Sequence, residues 1–347
     1  MRNLLVIVLF VLSLSFSLKS SAQQSYDVVC IGFYNLENLF DTIYNPELRL
    51  NEEFTPEADK KWGSKRYHEK LNHMARVIAQ VGTDVTPDGL ALLGVSEIEN
   101  RGVLEDLVKD PQIADRNYKI VHYDSPDRRG VDVGLLYQEK YFKPVNSTSV
   151  RLTMPEDTGF RTRDQLVVSG LLNGEMIHVV VNHWPSRSGG EKRSRPKRNA
   201  AGKLSRMIVD SLLTLDSNAK IMVMGDLNDD PVNPSVKEFL RASGSRKSLQ
   251  DGDLYNPMYD LYRAGIGSLA YRDTWNLFDQ IILSQGLLSE DRTQFSFYKA
   301  VVFNKNFLLQ KEGSFAGYPF RTFVGDSYMG GYSDHFPVYV LLIRASK

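Results

Sequence analysis

Residues 220–231 read Lys-Ile-Met-Val-Met-Gly-Asp-Leu-Asn-Asp-Asp-Pro, and the order of residue types here is the strongest indication of the fold. Ile221 to Met224 form a short apolar run that is typical of a buried strand, and the polar side chains of Asp226 and Asn228 follow it closely. In α/β folds, site residues lie at strand ends, because a strand end combines a rigid backbone with exposed side chains. The stretch therefore predicts an α/β protein with a functional site at the end of a buried strand.

Four other segments place carboxylate, amide or imidazole side chains after an apolar run, and Asp279 stands directly before one. Each segment alone is typical of a turn or a helix cap. Together they supply oxygen ligands without cysteine, which suits Mg²⁺, and also Mn²⁺ or Ca²⁺, better than zinc. A histidine next to an aspartate adds a base, and this combination is typical of phosphoryl transfer to water. The segments are 34–38 (Tyr-Asn-Leu-Glu-Asn), 94–100 (Gly-Val-Ser-Glu-Ile-Glu-Asn), 181–184 (Val-Asn-His-Trp) and 331–337 (Gly-Tyr-Ser-Asp-His-Phe-Pro).

The composition of the 347 residues, with 42% hydrophobic and 24% charged, is typical of a globular protein and excludes disordered, fibrous and multi-span membrane classes. The 42 Lys+Arg residues balance the 42 Asp+Glu residues, which excludes a polybasic nucleic-acid binder of the histone type. Cys30 is the only cysteine, so no disulfide forms within the chain, and we expect a buried and inert thiol.

The N-terminus is predicted to be a secretory signal peptide over residues 1–22. Arg2 precedes an apolar run at residues 4–18, and small side chains follow at residues 20–22. The run is shorter than the about 20 residues that a membrane-spanning helix needs, although an uncleaved anchor is the alternative. We expect one domain over residues 23–347 that is secreted or periplasmic, is a monomer and has no stable membrane association after cleavage.

Ten short runs rich in Val, Ile and aromatic residues predict strands, and three stretches predict helices. Their mixed order, without repeats or a linker, indicates one α/β domain, and ten strands favour two packed sheets over one open sheet. The predicted strands are 28–34, 90–95, 118–122, 133–137, 165–171, 176–182, 220–224, 278–283, 300–303 and 338–342, and the predicted helices are 68–80, 198–215 and 234–242.

The order of these motifs resembles that of the endonuclease/exonuclease/phosphatase superfamily, the deoxyribonuclease I-like enzymes. The resemblance spans residues 28–342 and is most specific in Gly-Asp-Leu-Asn at 225–228 and Ser-Asp-His-Phe-Pro at 333–337. It implies a four-layer α/β sandwich, with two facing mixed β-sheets flanked by helices and the site at one edge. The segments most similar to the exported bacterial branch are Asn-Leu-Glu-Asn at 35–38, Arg-Arg-Gly-Val-Asp-Val-Gly at 128–134 and Asn-His-Trp-Pro-Ser-Arg at 182–187.

The resemblance also implies roles for individual side chains. His335 resembles the general base, Asp279 resembles the carboxylate that orients it, and Glu97 resembles the principal metal ligand. The other residues with implied roles are Asn35 and Asp334 in the metal site, Asp226 and Asn228 for the attacking water and the phosphate, and His183 for the phosphate oxygens or the leaving group.

Asn182 and His183 are adjacent, whereas many members of the superfamily have one residue between the asparagine and the histidine. Neighbouring residues on a strand point to opposite faces. Either the strand ends by Asn182, or only one of the two side chains reaches the phosphate. Asp132 is a candidate partner for His183.

A basic segment begins beside the predicted site. Residues 187–206 contain eight Lys+Arg residues and one Glu, a local excess of seven positive charges. Clustered basic side chains beside a phosphodiesterase site would hold neighbouring phosphates of a nucleic acid, and a solvated helix face is the alternative. The predicted substrate contacts are Asn182, Arg129, Arg187, Arg193, Arg198 and, by stacking on bases, Trp275.

We therefore predict a secreted, metal-dependent nuclease that hydrolyses DNA, or RNA, by in-line attack of water on a phosphodiester. A phospholipid or small-molecule phosphoesterase of the sphingomyelinase type is the alternative on the same fold, with Phe315–Phe320 as the candidate lipid-contacting loop. A non-catalytic binding protein would lack at least one metal or base residue, and none is missing here.

Overall fold

Two β-sheets, of six and seven strands, face each other in the computed structural model of the protein, which describes residues 24–47 and 50–346. The predicted signal peptide lies outside these residues. Both sheets are mixed, because each has a parallel pair near its centre and mostly antiparallel pairs elsewhere. No helix within the described residues is long and apolar enough to cross a membrane.

The six-stranded sheet has the order β14-β17-β1-β2-β4-β3, and the seven-stranded sheet has the order β5-β6-β7-β8-β13-β10-β9. Two hairpins, β11-β12 and β15-β16, lie outside the sheets. The strands are β1 Tyr26–Leu39, β2 Leu90–Ile98, β3 Tyr118–His122, β4 Asp132–Gln138, β5 Phe142–Val150, β6 Gln165–Leu172, β7 Glu175–His183, β8 Ile221–Asp226, β9 Ala242–Ser243, β10 Leu254–Tyr255, β11 Leu269–Tyr271, β12 Thr274–Asn276, β13 Asp279–Leu283, β14 Ser296–Val302, β15 Phe323–Val324, β16 Ser327–Tyr328 and β17 Val338–Ala345. The α-helices are α1 Ser64–Ile78, α2 Arg101–Leu107, α3 Glu191–Leu215 and α4 Met258–Arg263.

Helices cover the outer faces of both sheets, and the predicted four-layer sandwich is confirmed. Side chains between the sheets form one buried core that continues onto the apolar faces of α1 and α2. A second core lies between β6, β7 and β8 and the helix α3. Burial on both faces explains why the central strands are almost continuous runs of Val, Ile, Leu and Met in the sequence.

The helix predictions need three corrections. Helix α1 is displaced by a few residues from the predicted span, and α3 begins seven residues earlier than predicted and includes Pro196. The third predicted helix, 234–242, is only a five-residue π-helical turn at Ser235–Phe239. Pro196 is the sixth residue of α3, beyond the first backbone N–H groups that lack an intrahelical partner, so it removes one backbone hydrogen bond from the helix.

The two central parallel pairs determine where the polar residues meet. Asn35 on β1 is opposite Ser96 on β2, and His183 on β7 is opposite Asp226 on β8. Parallel strands end at the same edge of a sheet, so the side chains at and just beyond these strand ends share one edge of the sandwich. The antiparallel pairing of β13 with β8 then places Asp279 directly opposite Asp226.

Candidate active site

His335 and Asp279 form a buried pair at this edge. The Nδ1 atom of His335 lies 2.6 Å from the Oδ2 atom of Asp279, which also accepts a hydrogen bond from the Ser268 hydroxyl at 2.5 Å. The Nε2 atom of His335 faces the site, 3.9 Å from the Oδ2 atom of Asp226. Burial alone would lower the pKa of His335, but the carboxylates of Asp279 and Asp226 outweigh it and raise the pKa well above its ordinary value. The carboxylate of Asp279 thus fixes the orientation of the imidazole, and the geometry leaves Nε2 available to exchange a proton at the site.

Asp226 lies at the centre of the cluster. Its Oδ2 atom accepts a hydrogen bond from the Asn35 amide at 3.1 Å, and its Oδ1 atom accepts one from the Asn228 backbone N–H at 2.9 Å. Burial, together with the negative charge of Asp279, raises the pKa of Asp226 to about 7 even though His335 opposes the shift. The side-chain amide of Asn228 donates to the Trp184 carbonyl at 2.9 Å, so it holds the end of β7 beside Asp226.

Glu97 is at the end of β2 with a left-handed backbone, φ 57°, which is an uncommon conformation for a residue with a side chain. Its Oε2 atom accepts a hydrogen bond from the Asn38 backbone N–H at 3.1 Å, and its Oε1 atom lies 3.7 Å from His183 Nε2. The Nη2 atom of Arg129 lies 3.8 Å from the same oxygen. Strained backbones of this kind cluster at functional sites, where the surrounding structure holds them in place.

Only one of the two adjacent residues at the end of β7 faces the cluster. His183 Nε2 lies 3.5 Å from Asp226 Oδ2, whereas the amide of Asn182 points into the core and donates to the Val180 and Met224 carbonyls. Asn182 is completely buried, so the prediction that it contacts the substrate is wrong, and its role is structural. Strand β7 includes both residues, so their side chains point to opposite faces of the sheet.

His183 is surrounded by buried charges of both signs. Burial, and then the positive charges of Arg163 and Arg129, hold the pKa of His183 well below its ordinary value. Arg163 also donates to the His183 and Trp184 carbonyls, at 3.1 and 2.6 Å, and thereby fixes the end of β7. The lowered pKa favours the neutral form of the His183 imidazole.

The predicted partner of His183, Asp132, lies elsewhere. Asp132 pairs with His122 Nε2 at 3.0 Å and accepts a hydrogen bond from the Ser125 backbone N–H at 2.9 Å. The potential ligand atoms of His122, Asp124 and Asp132 all lie within 4.8 Å of one another, so these three residues form a separate group that could hold a metal ion.

The donor set beside Glu97 fits a divalent cation. Glu97 and Asp226 both lie within 3.7 Å of His183 Nε2, and the carboxamide oxygen of Asn38 is buried without a hydrogen-bond partner among the described residues. Carboxylate and amide oxygens are the ligands of Mg²⁺ and related hard cations. Of the other predicted ligands, Asn35 contacts Asp226 through its amide nitrogen, and Asp334 pairs with Arg321 at 3.1 Å.

The basic segment does not form a continuous positive face. Arg198 is completely buried, and its Nε atom lies 2.7 Å from Asp229 Oδ1, so it does not reach a substrate. Arg187 pairs with Asp229 at 3.0 Å and packs on the Phe278 ring, 4.4 Å from the ring centroid. Both residues support the loop after β8, and of the segment's predicted substrate contacts only Arg193 is exposed.

Trp275 is exposed enough to stack on a ligand. The residue is 37% exposed, and its ring stacks on that of Phe336, the residue after the catalytic candidate His335, with centroids 5.8 Å apart. Trp184, which also follows a site segment, is instead buried in the core and donates to Asn182.

Sequence reasoning missed several residues that position the site. Ser268 holds Asp279, Arg163 holds β7, and Lys70 donates from its buried ammonium to the Thr322 hydroxyl at 2.6 Å and the Tyr332 carbonyl at 2.5 Å. Lys70 thus anchors the segment just before Asp334 and His335. None of the three lies next to a motif, and only an unexpected charge on the apolar face of α1 could have indicated Lys70.

The family profile that matches this sequence is that of the endonuclease/exonuclease/phosphatase family, and it matches residues 30–344. The chain belongs to this family. Membership makes it a hydrolytic enzyme that acts on phosphoesters with a divalent metal ion. No curated protein matches the sequence.

Solved structures of the family fold align over nearly the whole chain. At identities of 13–16% these likenesses show the fold alone. They include a humanized TDP2 from D. rerio (13% identity, 91% of this chain and 98% of that chain, TM-score 0.53), a family protein from Bacteroides thetaiotaomicron (16%, 93% and 97%, TM-score 0.55) and the human Nocturnin catalytic domain with bound sulfate (16%, 92% and 97%, TM-score 0.51).

The buried ion pair between Arg198 and Asp229 is expected to stabilise the folded protein. Arg198→Met is expected to lower the free energy of unfolding by about 3 kcal/mol, because it removes a charge that compensates the buried Asp229 carboxylate. Urea unfolding followed by circular dichroism measures the change, with Lys203→Met on the exposed side of the same helix as the control. A loss no larger than that of the control would contradict the structural role of Arg198.

Proposed function

We propose that the protein is an exported, monomeric phosphodiesterase that hydrolyses nucleic acid, with DNA as the favoured substrate and RNA as the second candidate. The observation that carries the proposal is the His335–Asp279 pair, whose free Nε2 atom faces Asp226 at the strand edge that also presents Glu97 and His183. The structural likeness to TDP2, which has been solved from D. rerio with a single-strand DNA product, supports a nucleic-acid substrate.

In the proposed reaction, His335 Nε2 removes a proton from the water that attacks the phosphorus, and Asp279 holds the imidazole in position. The P–O ester bond opposite the attacking water breaks, and the departing oxygen takes up a proton from the solvent. Asp226 and Asn228 position the water and the phosphate. His183 donates a hydrogen bond to a phosphate oxygen from its neutral ring. A divalent ion, when bound, supplies charge stabilisation to the phosphate oxygens, and we propose Glu97 as its principal ligand, with Asn35 and Asp334 bordering the same space.

A phospholipid substrate is the second candidate, and one observation favours it. The hairpin β11-β12 exposes Tyr271 at 62% and Trp275 at 37%, and the loop before β15 exposes Phe315 at 36%. Trp275 stacks on Phe336, the residue after His335. Exposed aromatic side chains of this kind can insert into a lipid interface. They can equally stack on nucleobases.

The two candidates are distinguished by direct assay of the secreted protein. Supercoiled plasmid DNA, bis-p-nitrophenyl phosphate and sphingomyelin vesicles are each incubated with Mg²⁺ and, separately, with EDTA. The proposal expects nicking of DNA and release of p-nitrophenol that EDTA abolishes. Cleavage of sphingomyelin without cleavage of DNA would favour the second candidate, and activity in EDTA would contradict the metal requirement.

The elevated pKa of His335 predicts the pH profile. A histidine must be unprotonated to act as a base, so kcat/KM for bis-p-nitrophenyl phosphate should rise with pH as His335 loses its proton. Asp279→Asn removes a negative charge that stabilises the imidazolium, so it should move this rise to lower pH as well as reduce the maximum. An unchanged position of the rise in Asp279→Asn would show that another group controls it.

A further inference from the structure

A cavity of about 420 Å³ adjoins the catalytic edge beside His183 and is strongly basic. It lies where the loop before β4, the loop before β6 and the first turns of α3 meet. The basic side chains that line it are Arg128, Arg129, Arg161, Arg163, Arg193 and Lys197, and Asp127 is the one acidic residue in the lining. These residues come from three distant parts of the chain, so the sequence alone did not group them.

Four of the six basic side chains in this cavity have no carboxylate partner among the described residues. The exceptions are Arg163 and Arg129, and Arg129 lies 3.7 Å from Asp127 and 3.8 Å from Glu97. Asp127 pairs with Arg163 at 3.0 Å, and Arg163 uses its remaining donors on the carbonyls of His183 and Trp184. Arg128 and Arg161 donate to backbone carbonyls at 2.8–2.9 Å, which orients them without neutralising them. Arg193 and Arg161 are exposed to the solvent. An arrangement of this kind attracts an anion.

Unsatisfied donors also point to a ligand. Thr162 lines the cavity and is 4% exposed, and its hydroxyl has no hydrogen-bond partner among the described residues. The Nη2 atom of Arg129 is likewise buried without a hydrogen-bond partner in the part of the chain described. The 25-residue helix α3 starts beside this cavity, and its N-cap residue Gly190 provides no side chain to cap the first N–H groups, although Glu191 stands in the first turn.

We propose that this cavity binds a second, non-scissile phosphate of the substrate. The inference rests on the proposed function, because it places the scissile phosphate beside His183 and the next phosphate among the arginines. Arg129 lies between these two phosphate positions, since it lines the cavity and its guanidinium is 3.8 Å from Glu97. Phosphate oxygens accept hydrogen bonds from arginine guanidinium groups and from a free hydroxyl, and both kinds of donor line this cavity. The one aromatic ring in the lining, Phe160, has the Lys197 ammonium over it, 4.8 Å from the ring centroid. The enzyme therefore selects diesters that carry a neighbouring phosphate.

Small chromogenic diesters test this selection. The p-nitrophenyl ester of thymidine 5′-phosphate is compared with the same ester bearing a 3′-phosphate, and the p-nitrophenyl ester of thymidine 3′-phosphate with its 5′-phosphorylated form. In one of the two pairs the additional phosphate should lower KM at least about tenfold, the effect of one charge-assisted hydrogen bond. Arg193→Ala should remove most of this preference and Thr162→Val part of it, so that KM of the doubly phosphorylated ester approaches KM of the single-phosphate ester.

Lys203→Ala is the matched control, because Lys203 is exposed on the same helix but does not line the cavity. The preference should persist in this variant, and circular dichroism should show that all variants are folded. Equal losses in Arg193→Ala and Lys203→Ala, or no preference in either pair, would overturn the proposal.

A direct binding measurement separates this proposal from the proposed function. If the wild-type protein hydrolyses none of the esters, the proposed function fails. Titration calorimetry with thymidine 3′,5′-bisphosphate then tests whether the cavity binds a phosphate. Binding that weakens about tenfold in Arg193→Ala and not in Lys203→Ala supports the phosphate site, and binding that is absent or equal in all three proteins rejects it.

Discussion

His335→Ala is expected to lower kcat for phosphodiester hydrolysis about a thousandfold while the protein stays folded. The imidazole is the group whose free nitrogen faces Asp226 and the remaining site residues, and a positioned general base contributes about 10²–10⁴ in rate. Loss of the ring also leaves Asp279 buried without its cationic partner, although the Ser268 hydroxyl still reaches that carboxylate. Initial rates on bis-p-nitrophenyl phosphate with Mg²⁺ measure the effect.

His68→Ala is a suitable control for this change, because His68 is exposed on α1. It should keep the wild-type rate and the wild-type melting temperature. Addition of imidazole to His335→Ala provides a further readout, since a small base can enter the space left by the side chain and restore part of the rate. Nearly full activity of the purified His335→Ala protein would refute the role of this residue.

Asp226→Asn should combine a large loss of activity with a gain in stability. The substitution keeps the shape of the side chain but removes the negative charge at the centre of the cluster, and we expect kcat to fall about a hundredfold to a thousandfold. The carboxylate is almost completely buried, and its pKa is raised to about 7, so folding favours its protonated form. Its contribution to stability is therefore lost as the pH rises from the ordinary aspartate range through about 7.

Asparagine has no charge to bury, so Asp226→Asn should melt at a higher temperature than the wild type at neutral and alkaline pH in EDTA. The difference should disappear under acidic conditions, where Asp226 is protonated. Thermal melts across this pH range measure it, with Asp59→Asn at an exposed position as the control. A lower melting temperature of Asp226→Asn at alkaline pH would show that the charged carboxylate stabilises the fold.

The positions of Glu97, Asp226 and Asp279 were predictable because each residue lies at one end of its own apolar run. The period and length of those runs are local properties, and all ten predicted strands are present. The edge strand β5 was missed because its exposed face is polar and it contains a proline, which weakens the strand pattern. Helix α3 was predicted too short because its first turns are charged rather than amphipathic.

The basic segment shows why a count of charges along the sequence does not define a surface. Seven excess positive charges over residues 187–206 predicted a phosphate-binding face. In the folded chain, Asp229 from the loop after β8 pairs with Arg198, and Asp210 on the same helix pairs with Arg206. Buried charges require a partner, and the partner of Arg198 comes from a distant part of the chain.

The sequence by itself determined the fold class, the family and the types of residue that gather at the site, because strand patterns and short motifs are local. The tertiary structure decided that His183 rather than Asn182 faces Asp226, since strand alternation and the β7-β8 register assign each side chain to one face. It also decided which arginine side chains are paired with a buried carboxylate, as Arg198 is, and which are exposed, as Arg193 is. A charge is neutralised when a carboxylate from a distant part of the chain pairs closely with it, as Asp229 does with Arg198, and such contacts exist only once the chain has folded.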